Sequence, residues 1–170
     1  MSVMERALAG ALGGFLATFV LSGFRLALKR FGLVYRTAPE QVVTRLEELG
    51  PAKDWPPHAR RALMVATHFA YGTGAGAAFG ALRYEGEETD SGEVEEHRGD
   101  RDDALTEAAV GATLGVLSWG AGWAGWLPVA GVHPAPWTQK TPRALLPVLD
   151  HAVYGAAWGL IYWTIKGRRA

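Results

Sequence analysis

Cysteine is absent from this chain of 170 residues. Its absence excludes disulfides, iron–sulfur ligation and thiolate zinc sites, and leaves the cellular compartment open. A net charge is also lacking, because 17 Lys and Arg residues balance 17 Asp and Glu residues. The chain therefore lacks the excess of basic residues that would indicate a nucleic-acid partner.

The usual catalytic signatures are missing as well. The chain has no Ser-His-Asp spacing, no HExxH, no Walker loop and no dinucleotide fingerprint. Its glycines between Gly72 and Gly80 lie inside an apolar stretch, where helical hydrogen bonds would occupy the backbone N–H groups that a phosphate needs. The sequence therefore gives no positive support for an enzyme.

Charge is missing from the middles of four apolar stretches, residues 7–28, 62–82, 104–127 and 144–165. As helices they would each reach about 30–36 Å, enough to cross a hydrocarbon core of about 30 Å. A soluble bundle would instead carry charges along its outer faces. The charges Arg25, Glu107 and Asp150 fall near the ends of the stretches, where long side chains can extend to the interface. The pattern predicts an all-α, single-domain, four-helix transmembrane bundle.

The first stretch also fits a signal peptide. Its apolar run is long for that role, however, and Lys29-Arg30 closes it like a stop-transfer flank. We therefore expect it to be a helix of the bundle.

Two connections have distinct patterns. Thr37 and Glu40 predict a capping box, and the apolar residues that follow at helical spacing predict a short amphipathic interfacial helix over residues 38–49. Residues 83–103 are acidic and poor in aromatics, which predicts a solvated, mobile loop.

A pattern H-x-x-Y-G-x-x-x-G occurs twice, beginning at His68 and at His151. The preceding stretches share a weaker echo, in which Gly10-Ala11 and Gly14 match Gly111-Ala112 and Gly115. We interpret this as two tandem helix pairs, related by an axis along the membrane normal.

Small residues recur at intervals of four along the stretches, which places them on single helix stripes where backbones can approach closely. These ladders are Gly10 and Gly14; Gly72, Gly76 and Gly80; Gly111 and Gly115; Ser118 and Gly122; and Gly155 and Gly159. They predict tight helix packing.

Trp119, Trp123 and Trp126 are predicted to share one face of the third helix. They fit an interfacial aromatic belt. The alternative is an aromatic wall around a bound apolar ligand, such as a quinone or a lipid tail.

His68 and His151 are predicted at similar depth, each on its own glycine stripe, and an ionisable group at that depth is a functional candidate. Three hypotheses remain open. Each imidazole bonds a neighbouring backbone group or hydroxyl, such as Tyr71 or Tyr154, and locks two helices together. Alternatively, the pair and Asp150 form a proton- or solute-handling site. Lastly, the two imidazoles ligate one b-type haem, although two histidines are a weak metal signal.

The second half resembles the YagU-like family of bacterial inner-membrane proteins. The resemblance rests on Gly125-Trp126-Leu127-Pro128, on Gly131-Val132-His133-Pro134-Ala135-Pro136-Trp137, on His151-Ala152-Val153-Tyr154-Gly155 and on the tail Lys166-Gly167-Arg168-Arg169; the turn Arg36-Thr37-Ala38-Pro39 is similar too. It implies an inner-membrane location with cytoplasmic termini and at most a loose link to acid tolerance. It supplies no catalytic residue.

The leading expectation is therefore a structural, accessory or assembly role in the bacterial inner membrane. The protein would pack through its glycine-lined helices against itself, as a homo-oligomer, or against a larger membrane complex. The alternatives are a small transporter or proton-linked sensor that uses His68, His151 and Asp150, and a haem-binding electron carrier.

Overall fold

The computed structural model describes residues 1–33, 37–83, 99–139 and 141–167, and only the backbone of residues 99–102 and 141–144. The regular elements of the described part are all helical, so the all-α prediction is confirmed. They are α1 (Val3–Arg30), α2 (Ala38–Glu48), α3 (Pro57–Leu82), α4 (Gly99–Trp119), a π-helical segment (Gly120–Trp126), α5 (Leu127–Val129), a 3₁₀ turn (Pro136–Thr138) and α6 (Thr141–Gly167).

The helix starts follow local capping chemistry. At α1, the Glu5 backbone N–H donates to Ser2 Oγ at 3.2 Å, and the Ser2 N–H donates to Glu5 Oε2 at 2.8 Å. At α2, the Thr37 N–H donates to Glu40 Oε2 at 2.7 Å. Each contact satisfies an N–H that would otherwise lack an intrahelical partner.

The acidic connection is shorter than predicted. Its centre, residues 84–98, lies outside the described residues, and α4 already begins at Gly99. The end of the expected loop 83–103 is therefore helical. An acidic run can start a helix because negative charge is favourable at a helix N-terminus.

Glycines create two helix pairs. A methyl group added at Gly10 would collide with the Gly76 carbonyl, and one added at Gly14 with the Gly72 carbonyl, so α1 and α3 meet backbone to backbone. The α4–α6 pair is built in the same way. There a methyl group at Gly111 would collide with the Gly155 carbonyl. Gly80, Gly115 and Gly159 are equally crowded, by the backbones of Arg6, His151 and Glu107.

Trp158 joins the two pairs where α1 packs against α6. Its side chain is fully buried, and its Nε1–H donates to the Gly10 carbonyl at 3.0 Å. It stacks on Tyr162 with ring centroids 5.0 Å apart and meets the edge of Phe79 at 5.5 Å. The centre of the bundle is therefore aromatic, while its helix contacts are made by glycine.

The third predicted span is not a single α-helix. Residues 104–127 were expected to be one, but Gly120–Trp126 winds as a π-helix. Glycine weakens the preference for α geometry here, and a π-turn widens the spacing between side chains. Within this segment Trp123 is buried, whereas Trp126 is 49% exposed, and both line the cavity described below.

The outer surface carries many large apolar side chains. On α1 alone, Leu8, Leu12, Phe15 and Phe19 are each 40–61% exposed. Among the described residues, α1 is the one helix that is both long and apolar enough to cross a membrane.

Candidate functional site

A cavity of about 190 Å³ lies at the end of the bundle near α2, between α1, α3, α6 and the π-helical segment. Its apolar wall is formed by Leu21, Ala38, Pro39, Val42, Trp123, Trp126 and Leu127. Its polar lining consists of Arg25, Thr67, His68, Tyr71, Ser118, His151 and Tyr154. The cavity therefore combines an aromatic, apolar body with a small number of polar groups, which is typical of small-molecule sites.

The structure brings four of the five sequence-derived site residues to this cavity: His68 and Tyr71 from α3, and His151 and Tyr154 from α6. Each H-x-x-Y motif contributes both of its polar side chains, because residues three apart lie on the same side of a helix. The fifth residue, Asp150, is buried behind the lining rather than in it.

Arg25 is the site residue that sequence reasoning placed elsewhere. It was expected to extend to the membrane interface, but its side chain is only 12% exposed and its Nε donates to Asp150 Oδ2 at 2.8 Å. A charge that leaves water needs an opposite partner, and Asp150 supplies it. The sequence did contain a signal for this pair: Arg25 and Asp150 each lie in an apolar stretch that is otherwise nearly free of charge.

The hydrogen bonds of His151 define where its proton lies. Its Nδ1 is 2.6 Å from the Pro147 carbonyl, which can only accept, so Nδ1–H is the donor. In the neutral imidazole, Nε2 is then a bare acceptor. This bond stays within α6, so it does not lock two helices together as the first hypothesis expected.

His68 reaches the same state by a different route. Its Nε2 is 3.3 Å from Ser22 Oγ on α1. The single Ser22 hydroxyl proton is used on the Thr18 carbonyl at 2.7 Å, so His68 Nε2–H is the donor to Ser22. Its Nδ1 is therefore the acceptor in the neutral ring, and this bond does join α3 to α1.

The two tyrosines bond other helices and not the histidines. The Tyr154 hydroxyl donates to the Gly72 carbonyl at 2.5 Å, which ties α6 to α3. The Tyr71 hydroxyl lies 3.3 Å from the Ser118 carbonyl and 3.2 Å from Ser118 Oγ, which bridges α3 and α4. The expected histidine–tyrosine bonds are not among those of the described residues.

Helix α2 covers one side of the cavity with Ala38, Pro39 and Val42. Two ion pairs connect it to the neighbouring helices, Arg60 with Glu47 at 2.8 Å and Lys29 with Glu40 at 4.0 Å. The predicted amphipathic helix is therefore present and forms part of the cavity wall.

A haem between the two histidines would have to use His68 Nδ1 and His151 Nε2, because His68 Nε2 bonds Ser22 and His151 Nδ1 bonds the Pro147 carbonyl. Among the described residues, no group of three His, Cys, Asp or Glu side chains could hold a metal ion.

Comparison with known proteins finds no relative of this chain. No family model, curated protein or solved structure matches the chain. The resemblance to the YagU-like family therefore rests on its motifs alone.

Proposed function

We propose that this chain is a four-span membrane protein that binds a small amphiphile in the cavity between its helix pairs. The spans are α1, α3, α4 with its π-helical continuation, and α6. The observation that carries the proposal is the cavity itself, where two histidines and an arginine meet an aromatic wall inside an outwardly apolar bundle.

The outer surface supports the membrane assignment. The core helix of a soluble protein would be covered, whereas α1 exposes apolar side chains along its length. On the other helices, Val65, Leu117 and Leu160 are also exposed. Glycine, histidine and tyrosine lower the average hydropathy of α3 and α6, and several of these residues, such as Gly72, Gly76 and Tyr154, are buried within the bundle.

The packing of α1 argues against a cleaved leader. Removing α1 would strip the glycines of α3 of their partner and take the Gly10 acceptor from Trp158. It would also open the cavity, since Leu21 and Arg25 belong to its wall.

The glycine contacts support a tandem repeat of two glycine-zipper helix pairs. When the two histidine motifs are aligned, the contact of Gly14 with Gly72 corresponds to that of Gly111 with Gly155. On this alignment Gly10 of α1 corresponds to Glu107 of α4. This differs by one helical turn from the sequence prediction, which matched Gly10 with Gly111.

The same contacts favour binding over a purely structural role. The accessory hypothesis relied on glycine-lined faces that could pack against another subunit. Here the glycines of both ladders are used within the chain, by the partner helix of each pair. An assembly role would have to use the exposed leucine and phenylalanine faces instead. For the location we keep the bacterial inner membrane with cytoplasmic termini, as the YagU-like resemblance implies.

Topology can be tested cleanly because the native chain has no cysteine. Single variants Ser2→Cys, Asp54→Cys, Thr138→Cys and Gly167→Cys would be labelled in sealed vesicles with an impermeant maleimide. Four spans require Ser2 and Gly167 on one side and Asp54 and Thr138 on the other. A chain with one span would put Ser2 alone on its side, which would refute the proposal.

Binding can be tested by filling the cavity. A side chain at Gly122 would meet the Tyr71 hydroxyl at 2.9 Å, whereas Gly120, in the same π-helical segment, has open space around its Cβ position. Native mass spectrometry of the protein released from nanodiscs would identify co-purifying amphiphiles. We expect Gly122→Leu to lose them and Gly120→Leu to keep them. Equal retention by both variants would contradict a ligand in the cavity.

A further inference from the structure

Three of the polar side chains that line the cavity already donate hydrogen bonds within the protein. The Tyr154 hydroxyl proton is used on Gly72, the His151 Nδ1–H on Pro147 and the His68 Nε2–H on Ser22. His68 Nδ1 and His151 Nε2 are left with no hydrogen-bond partner among the described residues. In their neutral form, the two histidines therefore offer acceptors, which suit a ligand that brings hydrogen-bond donors.

The body of the cavity suits a planar ring. Trp123 and Trp126 contribute aromatic surface from the π-helical segment, and Tyr71 contributes it from α3. Trp123 is held in place by His133, which stacks on it with ring centroids 4.0 Å apart. Aromatic walls favour an aromatic ligand by offset or edge contacts, and a cavity of about 190 Å³ has room for a head group of one ring.

The side of the bundle between α3 and α4 is sparsely packed. The pairs α1–α3 and α4–α6 pack closely, and α1 packs on α6, but the described residues form no comparable α3–α4 interface. Tyr71 of α3 and Trp126 of the π-helical segment line the cavity, and they are 43% and 49% exposed. If the proposed spans cross a membrane, this side of the bundle meets lipid, and an apolar tail can extend from the cavity into it.

Resting on the function proposed above, we propose that the cavity binds the head group of a lipid-soluble hydroquinone, whose two hydroxyls donate to His68 Nδ1 and His151 Nε2. The Arg25 guanidinium, whose Nε is used on Asp150, retains Nη donors that can meet a ring oxygen from the side. Binding involves no redox step and no covalent change.

The proposal requires the site to prefer the reduced ring. The oxidised quinone carries two carbonyl oxygens, which accept and cannot donate. Placed against two imidazole acceptors, these oxygens lose the bonds for which the site is built. We expect the quinone to bind about tenfold more weakly or worse, the difference that one unsatisfied buried group makes.

The test uses the full chain in nanodiscs and a one-ring hydroquinone with a decyl tail, kept reduced under argon. Quenching of tryptophan fluorescence gives its affinity, and the oxidised quinone and the dimethyl ether of the hydroquinone are measured in parallel. The ether keeps ring and tail but has no donor. We expect both comparison ligands to bind at least about tenfold more weakly.

Two variants locate the effect. His68→Phe and His151→Phe should each weaken the hydroquinone and leave the weak binding of the ether unchanged, while Trp137→Phe, at an exposed position outside the cavity, should change neither. Should a histidine variant fail to fold, the comparison of ligands on the native chain still decides.

The outcomes separate the two levels of the proposal. Equal or tighter binding of the quinone or the ether overturns the hydroquinone assignment. If none of the three ligands binds, but another amphiphile is lost in Gly122→Leu, the assignment is wrong and the binding function stands. If no amphiphile is sensitive to Gly122→Leu, both fail.

Discussion

Arg25 of α1 and Asp150 of α6 meet across the bundle, with Arg25 Nε 2.8 Å from Asp150 Oδ2. Arg25 lines the cavity, and Asp150 immediately precedes His151 along α6. The pair therefore fixes the position of a cationic group beside both histidines. Asp150 Oδ1 makes no hydrogen bond among the described residues, so the carboxylate depends on Arg25 for its stability.

Breaking this pair should be costly. We expect Asp150→Leu to destabilise the protein by about 3–5 kcal/mol, because it leaves a buried guanidinium without a partner. The double variant Arg25→Leu with Asp150→Leu should recover most of that loss. Thermal unfolding in detergent measures both.

A matched control is Lys29→Leu. It removes a pair with Glu40 at 4.0 Å whose lysine side chain is 60% exposed, and such pairs contribute about 0–1 kcal/mol. If Asp150→Leu cost no more than this control, the pair would not stabilise the bundle.

Two neighbouring glycines on α3 should respond in opposite ways. Gly76→Ala places a methyl group against the backbone of α1 and should destabilise by about 1–3 kcal/mol. Gly74→Ala meets open space and should be neutral or stabilising by up to about 1 kcal/mol, because alanine favours helix. Unfolding temperatures of the two variants provide the comparison, and equal effects would argue against close α1–α3 packing.

The two histidines should differ in their contribution to stability. His68→Ala removes a bond between α3 and α1 and should lower stability by about 1 kcal/mol. His151→Ala removes only a bond within its own helix and should cost less. Denaturant titration measures the free energy of unfolding of each variant. A larger loss for His151→Ala than for His68→Ala would contradict the prediction.

Trp158 should be the most sensitive aromatic residue. Trp158→Phe keeps a ring but removes the hydrogen bond from the indole N–H to the Gly10 carbonyl and creates a void at the centre of the bundle. We expect a loss of about 2–4 kcal/mol, which combines the lost hydrogen bond with the void. Trp137→Phe, at an exposed position, should leave the unfolding temperature unchanged.

Much of the local structure could be predicted because it depends on neighbouring residues. Long apolar runs without proline breaks favour helices, and α1 and α3 form where such runs predict them. The capping contact of Thr37 with Glu40 followed from their spacing of three. The spacing of His68 and Tyr71 on α3, repeated by His151 and Tyr154 on α6, indicated that both pairs would face one place.

The sequence by itself thus determined the helices, their glycine stripes and the side chains able to share a site, since each depends on periodicity along one chain segment. Only the tertiary structure decided which glycines meet within each helix pair, the pairing of Arg25 with Asp150 and the position of α2 beside the cavity. These relationships join residues far apart in the chain. The helical periodicity specifies which face of a helix a side chain occupies. Where that face meets the next helix is set by the backbone contacts that the glycines permit.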